Sequence, residues 1–209
     1  MIERKVKTTY DIGQKLSDDP VIYVFDDFIS SAEANIIIEA AEPNLKRAVV
    51  SSAKKGIESA GRTGQNCWVK QDHNETIAEI SQRVSELVGL PLENAESLQV
   101  IHYGTEQKYN PHYDGWRHDT ESGKRCMKRG GQRLVTCLIY LNNVEAGGGT
   151  EFPKINLEVE AKLGRMVVFH NCYAGTNQRH DLSQHGGMAV KAGEKWACNL
   201  WFREEFYAK

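Results

Sequence analysis

This chain of 209 residues predicts an α+β fold with its helices first and its strands after, and three observations carry that expectation. Two apolar or amphipathic stretches with helix start and stop signals lie between Ser30 and Gly89. From Leu98 onward the chain changes to β-branched and aromatic runs of strand length, separated by Gly/Asn/Asp-rich turns. The length, with 40% hydrophobic and 26% charged residues, suits one well-buried core, so residues 1–209 are read as a single domain.

Taken in order, residues 1–19 are polar and lead into Ser17-Asp-Asp-Pro20, which reads as a tail or a short leading helix. Val21-Ile-Tyr-Val-Phe25 opens the core as a strand. Ser30-Ser-Ala-Glu33 has the form of a capping box ahead of the apolar stretch Ala34 to Ala41, a helix that Pro43 closes. Ser51 to Asp72, which contains Gly61-Arg-Thr-Gly-Gln-Asn-Cys-Trp68, is punctuated by glycine and charge and reads as a hairpin or mobile loop. A second helix starts at Asn74, puts Ile77, Ile80, Val84 and Leu87 on one face and ends at Gly89. Strands follow at Leu98 to Tyr103, Leu134 to Leu141, Arg165 to Phe169 and Lys195 to Phe202.

Composition excludes several classes. A net charge of −2 argues against a nucleic-acid-binding surface or a polybasic membrane anchor. The N-terminus has no apolar core of the signal-peptide kind, and no apolar run approaches the roughly 18 residues of a membrane span, so a soluble, cytoplasmic protein is expected. The five cysteines are scattered without a Cys-x-x-Cys and read as buried, reduced thiols.

The chemistry concentrates in Tyr109-Asn-Pro-His-Tyr-Asp114 and a distant His185. Residues i and i+2 of a strand project to one face, so His112 and Asp114 can converge on one ion while Tyr113 points away. Two imidazoles and one carboxylate on one face leave the opposite positions open, which suits Fe(II) binding a cosubstrate and O2. A structural zinc site would fill four positions with protein ligands, and no fourth is suitably spaced. His170 and His180 are the rivals of His185; His118 and His180 each precede an aspartate and read as surface hydrogen bonders. Lys195, in Gly193-Glu-Lys-Trp196, offers a cation for the far carboxylate of a dicarboxylic acid.

Four ordered motifs, Leu98-Gln-Val-Ile-His-Tyr-Gly-x-x-Gln-Lys-Tyr-x-Pro-His-Tyr-Asp114, Gly130-Gly-Gln-Arg-Leu-Val-Thr136, Tyr140 to Pro153 and His185 to Trp196, resemble the catalytic domain of prolyl 4-hydroxylases. Phe25-Asp-Asp-Phe-Ile-Ser30 and Gly61-Arg-Thr-Gly64 extend the resemblance over nearly the whole chain. It implies a double-stranded β-helix, or jelly-roll, core at about 98–204 on supporting N-terminal helices, within a mainly β or α+β domain. It makes His112, Asp114 and His185 the Fe(II) ligands, with Lys195 on the far carboxylate of 2-oxoglutarate and Tyr103 and Thr150 lining the cosubstrate pocket. Tyr109, Arg133 and Trp201 match positions beside the peptide groove, and Arg62 and Trp68 fall in the loop that resembles its lid. The implied reaction hydroxylates peptidyl proline with O2, releases succinate and CO2, and draws on ascorbate as reductant. A proline-containing peptide is the expected partner, and a second copy of the chain is left open. The alternatives are a 2-oxoglutarate oxygenase of another residue or a small molecule, and an inactive jelly-roll binding module. The chain departs from the family at Met188-Ala189, at Gly115 before Trp116, in the long charged connector 118–129 and in the stretch 171–181, all at the rim of the site.

Overall fold

The computed structural model describes residues 6–51, 56–57 and 59–207. In chain order the first elements are β1 (Gln14–Asp18), β2 (Val21–Phe25), α1 (Ser31–Ala41), β3 (Lys46–Arg47), β4 (Val50–Ser51), β5 (Gly56–Ile57), β6 (Gln65–Val69) and α2 (Glu75–Val88). There follow β7 (Leu98–Tyr103), β8 (Tyr109–His112), α3 (Glu121–Met127), β9 (Arg133–Tyr140), β10 (Ala146–Gly147), β11 (Thr150–Phe152) and β12 (Leu157–Val159). The last are β13 (Met166–His170), β14 (His185–Gly187), β15 (Val190–Ala192) and β16 (Lys195–Arg203).

Both long helices begin and end where local chemistry dictates. Ser30 accepts from the Glu33 amide while the Glu33 carboxylate accepts from the Ser30 amide, so α1 carries a reciprocal capping box. Asn74 caps α2 through the Ile77 amide, and Gly89 ends it in the left-handed conformation that a side chain would strain. Val88, not Leu87, completes the buried face of α2; Leu87 is only half-buried.

An eight-stranded antiparallel sheet, in the order β1-β2-β13-β9-β16-β7-β6-β3, faces a four-stranded one, β12-β11-β14-β8. Alternation along β2 shows how one strand serves two cores. Val21, Tyr23 and Phe25 pack toward α1 and α2, whereas Ile22 and Val24 pack inward with Tyr140 and Phe169 of the large sheet and Phe152 and Val159 of the small one. That second cluster is the filling between the sheets of a jelly roll, which here do not close into a barrel.

Three expectations are corrected. Residues 14–18 form neither tail nor helix but the edge strand β1, paired with β2. The stretch 51–72 holds the expected small hairpin of β4 and β5, yet its second half is β6, a strand of the large sheet paired with β7; residues 52–55 and 58 lie outside the described residues. The strand bearing the His-x-Asp pair ends at His112, so Asp114 sits in the bend beyond it. All five cysteines are free, four of them buried and Cys126 partly so.

Candidate active site

His112 closes β8 and lies opposite His185 of β14 in the antiparallel register, which brings the two rings to 4.5 Å between centroids. Asp114, two residues on, turns back toward them, and ligand atoms of all three residues lie within 4.8 Å of one another. Each histidine directs Nδ1 at a backbone carbonyl, that of Asn110 for His112 and Ser183 for His185, both at 3.0 Å. A carbonyl only accepts, so each Nδ1 carries the proton and each Nε2 presents a bare lone pair, as a metal requires. Burial, with the neighbouring His185, pushes His112 down to about 3 and keeps it neutral. Burial alone would raise Asp114; the neighbouring His185, then His112 and Arg133, outweigh it and hold the carboxyl well below the usual range, so it stays ionised. Two imidazole nitrogens and one ionised carboxylate on one face fit Fe(II).

Asp114 is itself held. Thr136 Oγ1 and Trp201 Nε1 both donate to its Oδ2, each at 2.8 Å. Arg133 lies 4.0 Å from Oδ1 and stacks 3.7 Å above the Trp201 ring. Its guanidinium is fixed in turn by buried Glu96, which receives Arg133 at 2.6 and 2.9 Å and Arg203 at 2.7 Å. Burial would raise Glu96, and the two arginines reverse that and keep it ionised.

These three residues line a cavity of about 620 Å³ that also takes in Lys195, Tyr103 and Thr150. Lys195, on β16 opposite Tyr103 of β7, is 2% exposed with Nζ 5.2 Å from the Tyr140 ring centroid. Burial lowers its ammonium to about 7. Thr150 shares a 2.6 Å hydrogen bond with the Tyr140 hydroxyl. At the opposite rim, Tyr109 stacks on His112 at 3.6 Å and lies under the Arg62 guanidinium at 4.6 Å. Arg62 is no solvated loop charge: it is 7% exposed and donates to Gln99 and to the Val49 carbonyl. Trp68 is half exposed, 5.8 Å from Trp201.

The structure therefore brings all eleven residues singled out in the sequence to one cavity. The rival histidines are elsewhere engaged: His170 meets Tyr10 at 3.3 Å, and His180, expected at the surface, is buried against Asp19 at 2.7 Å. Sequence reasoning missed Thr136, Glu96, Gln99, Tyr140 and Asn171. Each is a polar side chain in or beside an apolar strand, and that placement was the one available hint.

The family model of the 2OG-Fe(II) oxygenase superfamily matches residues 98–203. A protein of Acanthamoeba polyphaga mimivirus, provisionally named as a prolyl 4-hydroxylase, is 35% identical over 98% of this chain and 84% of its own. The chain belongs to the prolyl 4-hydroxylase family of 2OG-Fe(II) oxygenases. It is a 2-oxoglutarate-dependent dioxygenase, with Fe(II) as its metal. The human prolyl 4-hydroxylase subunit alpha-1 is 34% identical to this oxygenase over 90% of the chain, which spans 35% of that longer protein. The viral collagen prolyl hydroxylase of Paramecium Bursaria Chlorella virus-1, solved with 2-oxoglutarate, superposes with a TM-score of 0.70 at 27% identity, covering 87% of this chain and 95% of that one. A prolyl hydroxylase from Trichoplax adhaerens, solved with a hypoxia inducible factor peptide, shares the fold, with a TM-score of 0.63 at 19% identity over 88% of this chain and 83% of that one. Among the described residues no helix is long and apolar enough to cross a membrane.

Proposed function

We propose that this oxygenase hydroxylates proline in peptides, with His112, Asp114 and His185 holding Fe(II) and Lys195 receiving the far carboxylate of 2-oxoglutarate. The observation that carries the reading is the cavity that joins the His-Asp-His cluster to a buried lysine with no carboxylate partner among the described residues and that opens onto aromatic side chains. When bound, Fe(II) with 2-oxoglutarate and O2 supplies the oxidising power that inserts oxygen into an unactivated C–H bond, with succinate and CO2 released.

The protein's own residues bind, orient and exclude water. The bare Nε2 atoms and an Asp114 oxygen would hold Fe(II) from one side, leaving room for cosubstrate and O2. A carboxylate beside Lys195 restores the full ammonium charge that burial weakens, and the resulting charge-assisted bond is strong in so enclosed a place. Tyr103 and Thr150 line the same pocket. At the rim, Tyr109, Trp201 and Trp68 form apolar walls, with Arg62 and Arg133 stacked on them. An aromatic-walled groove suits a proline-rich segment, because a polyproline II chain is already extended and loses little entropy on docking. The names of the relatives point the same way, and the reading takes ascorbate as the reductant.

The test is succinate release from 2-oxoglutarate with Fe(II) and ascorbate, comparing a proline-rich peptide with a proline-free one and using His112→Ala as the blank. Stimulation by the proline peptide, with gain of one oxygen on proline by mass spectrometry, is expected. Turnover indifferent to proline would redirect the activity to another residue or a small molecule. No turnover above the blank would leave a binding module.

A further inference from the structure

We infer that Asn171 is a positioning residue of this site: acting through Thr136, it sets the direction of the hydrogen bonds that keep Asp114 a one-oxygen ligand. The inference rests on Asp114 being a metal ligand. Asn171 follows the last residue of β13 and is fully buried. Its amide donates to the Leu134 carbonyl and its carbonyl accepts from the His180 amide, both at 2.8 Å, so its backbone is fixed on two sides. Its Nδ2 donates to Thr136 Oγ1 at 2.8 Å, and Thr136 Oγ1 donates to Asp114 Oδ2 at 2.8 Å.

The chain has only one consistent direction. An ionised carboxylate accepts and never donates, so the single Thr136 hydroxyl proton goes to Asp114. Thr136 must then accept from its other neighbour, and Asn171 must present nitrogen rather than oxygen. The molecule accepts a penalty for this arrangement, since Asn171 Oδ1 is buried without a partner. Rotating the amide would place oxygen against an oxygen that has no proton left, and the orphan would be worse. An unsatisfied buried carbonyl next to a metal-ligand carboxylate is what a side chain retained for its N–H leaves behind.

The consequence is geometric. Thr136 and Trp201 both donate to Oδ2, which also lies 3.5 Å from His185 Nε2, while among the described residues no hydrogen bond is donated to Oδ1, which lies 3.7 Å from His112 Nε2 and 4.0 Å from Arg133. A carboxylate so held would offer a bound metal one oxygen, because the other already accepts two hydrogen bonds. A second carboxylate oxygen would take a coordination position that the cosubstrate and O2 need. Linked donors also polarise one another, so Asn171 strengthens the Thr136 bond that it does not itself share with Asp114.

The test is Co(II) affinity of the metal-free protein by titration calorimetry, without peptide or 2-oxoglutarate, alongside thermal unfolding of the same metal-free samples. Asn171→Leu removes the orphan carbonyl together with the N–H. Co(II) affinity is expected to fall roughly tenfold while the metal-free protein unfolds at or above the wild-type temperature. Asn171→Asp, isosteric but unable to donate, is expected to fall at least as far. Thr136→Ser, which keeps the hydroxyl, is expected to stay near wild type, and Thr136→Val is not. Wild-type affinity in both Asn171 variants overturns the inference, as does a loss of affinity that only tracks loss of fold. If His112→Ala binds Co(II) like wild type, the ligand assignment itself fails. If wild type binds metal but ignores proline, only the substrate reading fails.

Discussion

Lys195 is a cation kept where water cannot reach it, and the cost has a sign that pH reveals. Its ammonium falls from the ordinary 10.5 to about 7 because burial disfavours the charged form. Below about pH 7 folded and unfolded chains both hold the proton, and the burial penalty is fully present. Between 7 and 10.5 the unfolded chain keeps a proton that the folded one has released, so this group makes the cosubstrate-free protein more stable as pH rises. Lys195→Met removes the penalty with a side chain of similar length. At pH 7 the variant is expected to be more stable than wild type by about 1–3 kcal/mol, with the gap closing toward pH 10, and to lose affinity for 2-oxoglutarate. Denaturant unfolding at the two pH values checks this. A variant less stable at pH 7 would show that Lys195 is satisfied by the fold and not held in reserve for an anionic ligand. Wild-type affinity for 2-oxoglutarate should itself weaken above about pH 7, as the free lysine gives up its proton.

At the level of elements, the site depends on how closely β6 approaches β7. A Cβ built on Gly64, just before β6, would stand 2.5 Å from two ring atoms of Tyr103 and 2.6 Å from the His102 carbonyl. Gly64→Ala is thus expected to displace Tyr103, to cost about 1–3 kcal/mol in stability and to raise KM for 2-oxoglutarate more than KM for peptide. Equal changes in both would mean that the strand moves as a block and the pocket survives. The same region shows where sequence patterns run out. Strands β7, β9, β13 and β16 were legible because both faces are buried and their residues form near-continuous apolar runs. By contrast β1, Gln-Lys-Ser in character and largely exposed, is a strand only because β2 offers it an edge, and no local signal records that. β6 alternates buried Cys67 and Val69 with exposed Trp68, but flanking glycines and charges made it read as loop. Of the clustered residues, His112 and Asp114 were legible as a short motif and His185 as a distant histidine. Their holders were not, for Thr136 and Trp201 lie 22 and 87 positions from Asp114 and only the folded sheet brings them to it.

For the molecule as a whole, the two sheets meet at the His-Asp-His cluster. His112 and His185 belong to the small sheet, on β8 and β14, whereas Thr136, Trp201 and Lys195 belong to the large one, on β9 and β16. Asp114 is tied to both, coming from the chain just past β8 and accepting from β9 and β16. A metal ion held by these three residues would therefore link the sheets where the jelly roll is not closed by strand pairing. Binding to the folded chain alone stabilises it by mass action, about 2.7 kcal/mol at a hundredfold excess over Kd. For a chain of this length that corresponds to a rise of about 5–11 °C in Tm. Scanning calorimetry with Co(II) in place of Fe(II), which avoids oxidation, is expected to show that rise in wild type. Chelator should reverse it, and His112→Ala should abolish most of it while leaving the metal-free Tm within a few degrees. If the metal leaves Tm unchanged, the ligands contribute nothing across the sheets. A rise that survives His112→Ala would place the ion elsewhere. Stacking of Tyr109 on His112 and Arg62 on Tyr109 carries the same linkage outward to the rim. Protection of the β6–β7 amides from hydrogen exchange should accordingly increase with metal, and more so in wild type than in Arg62→Ala.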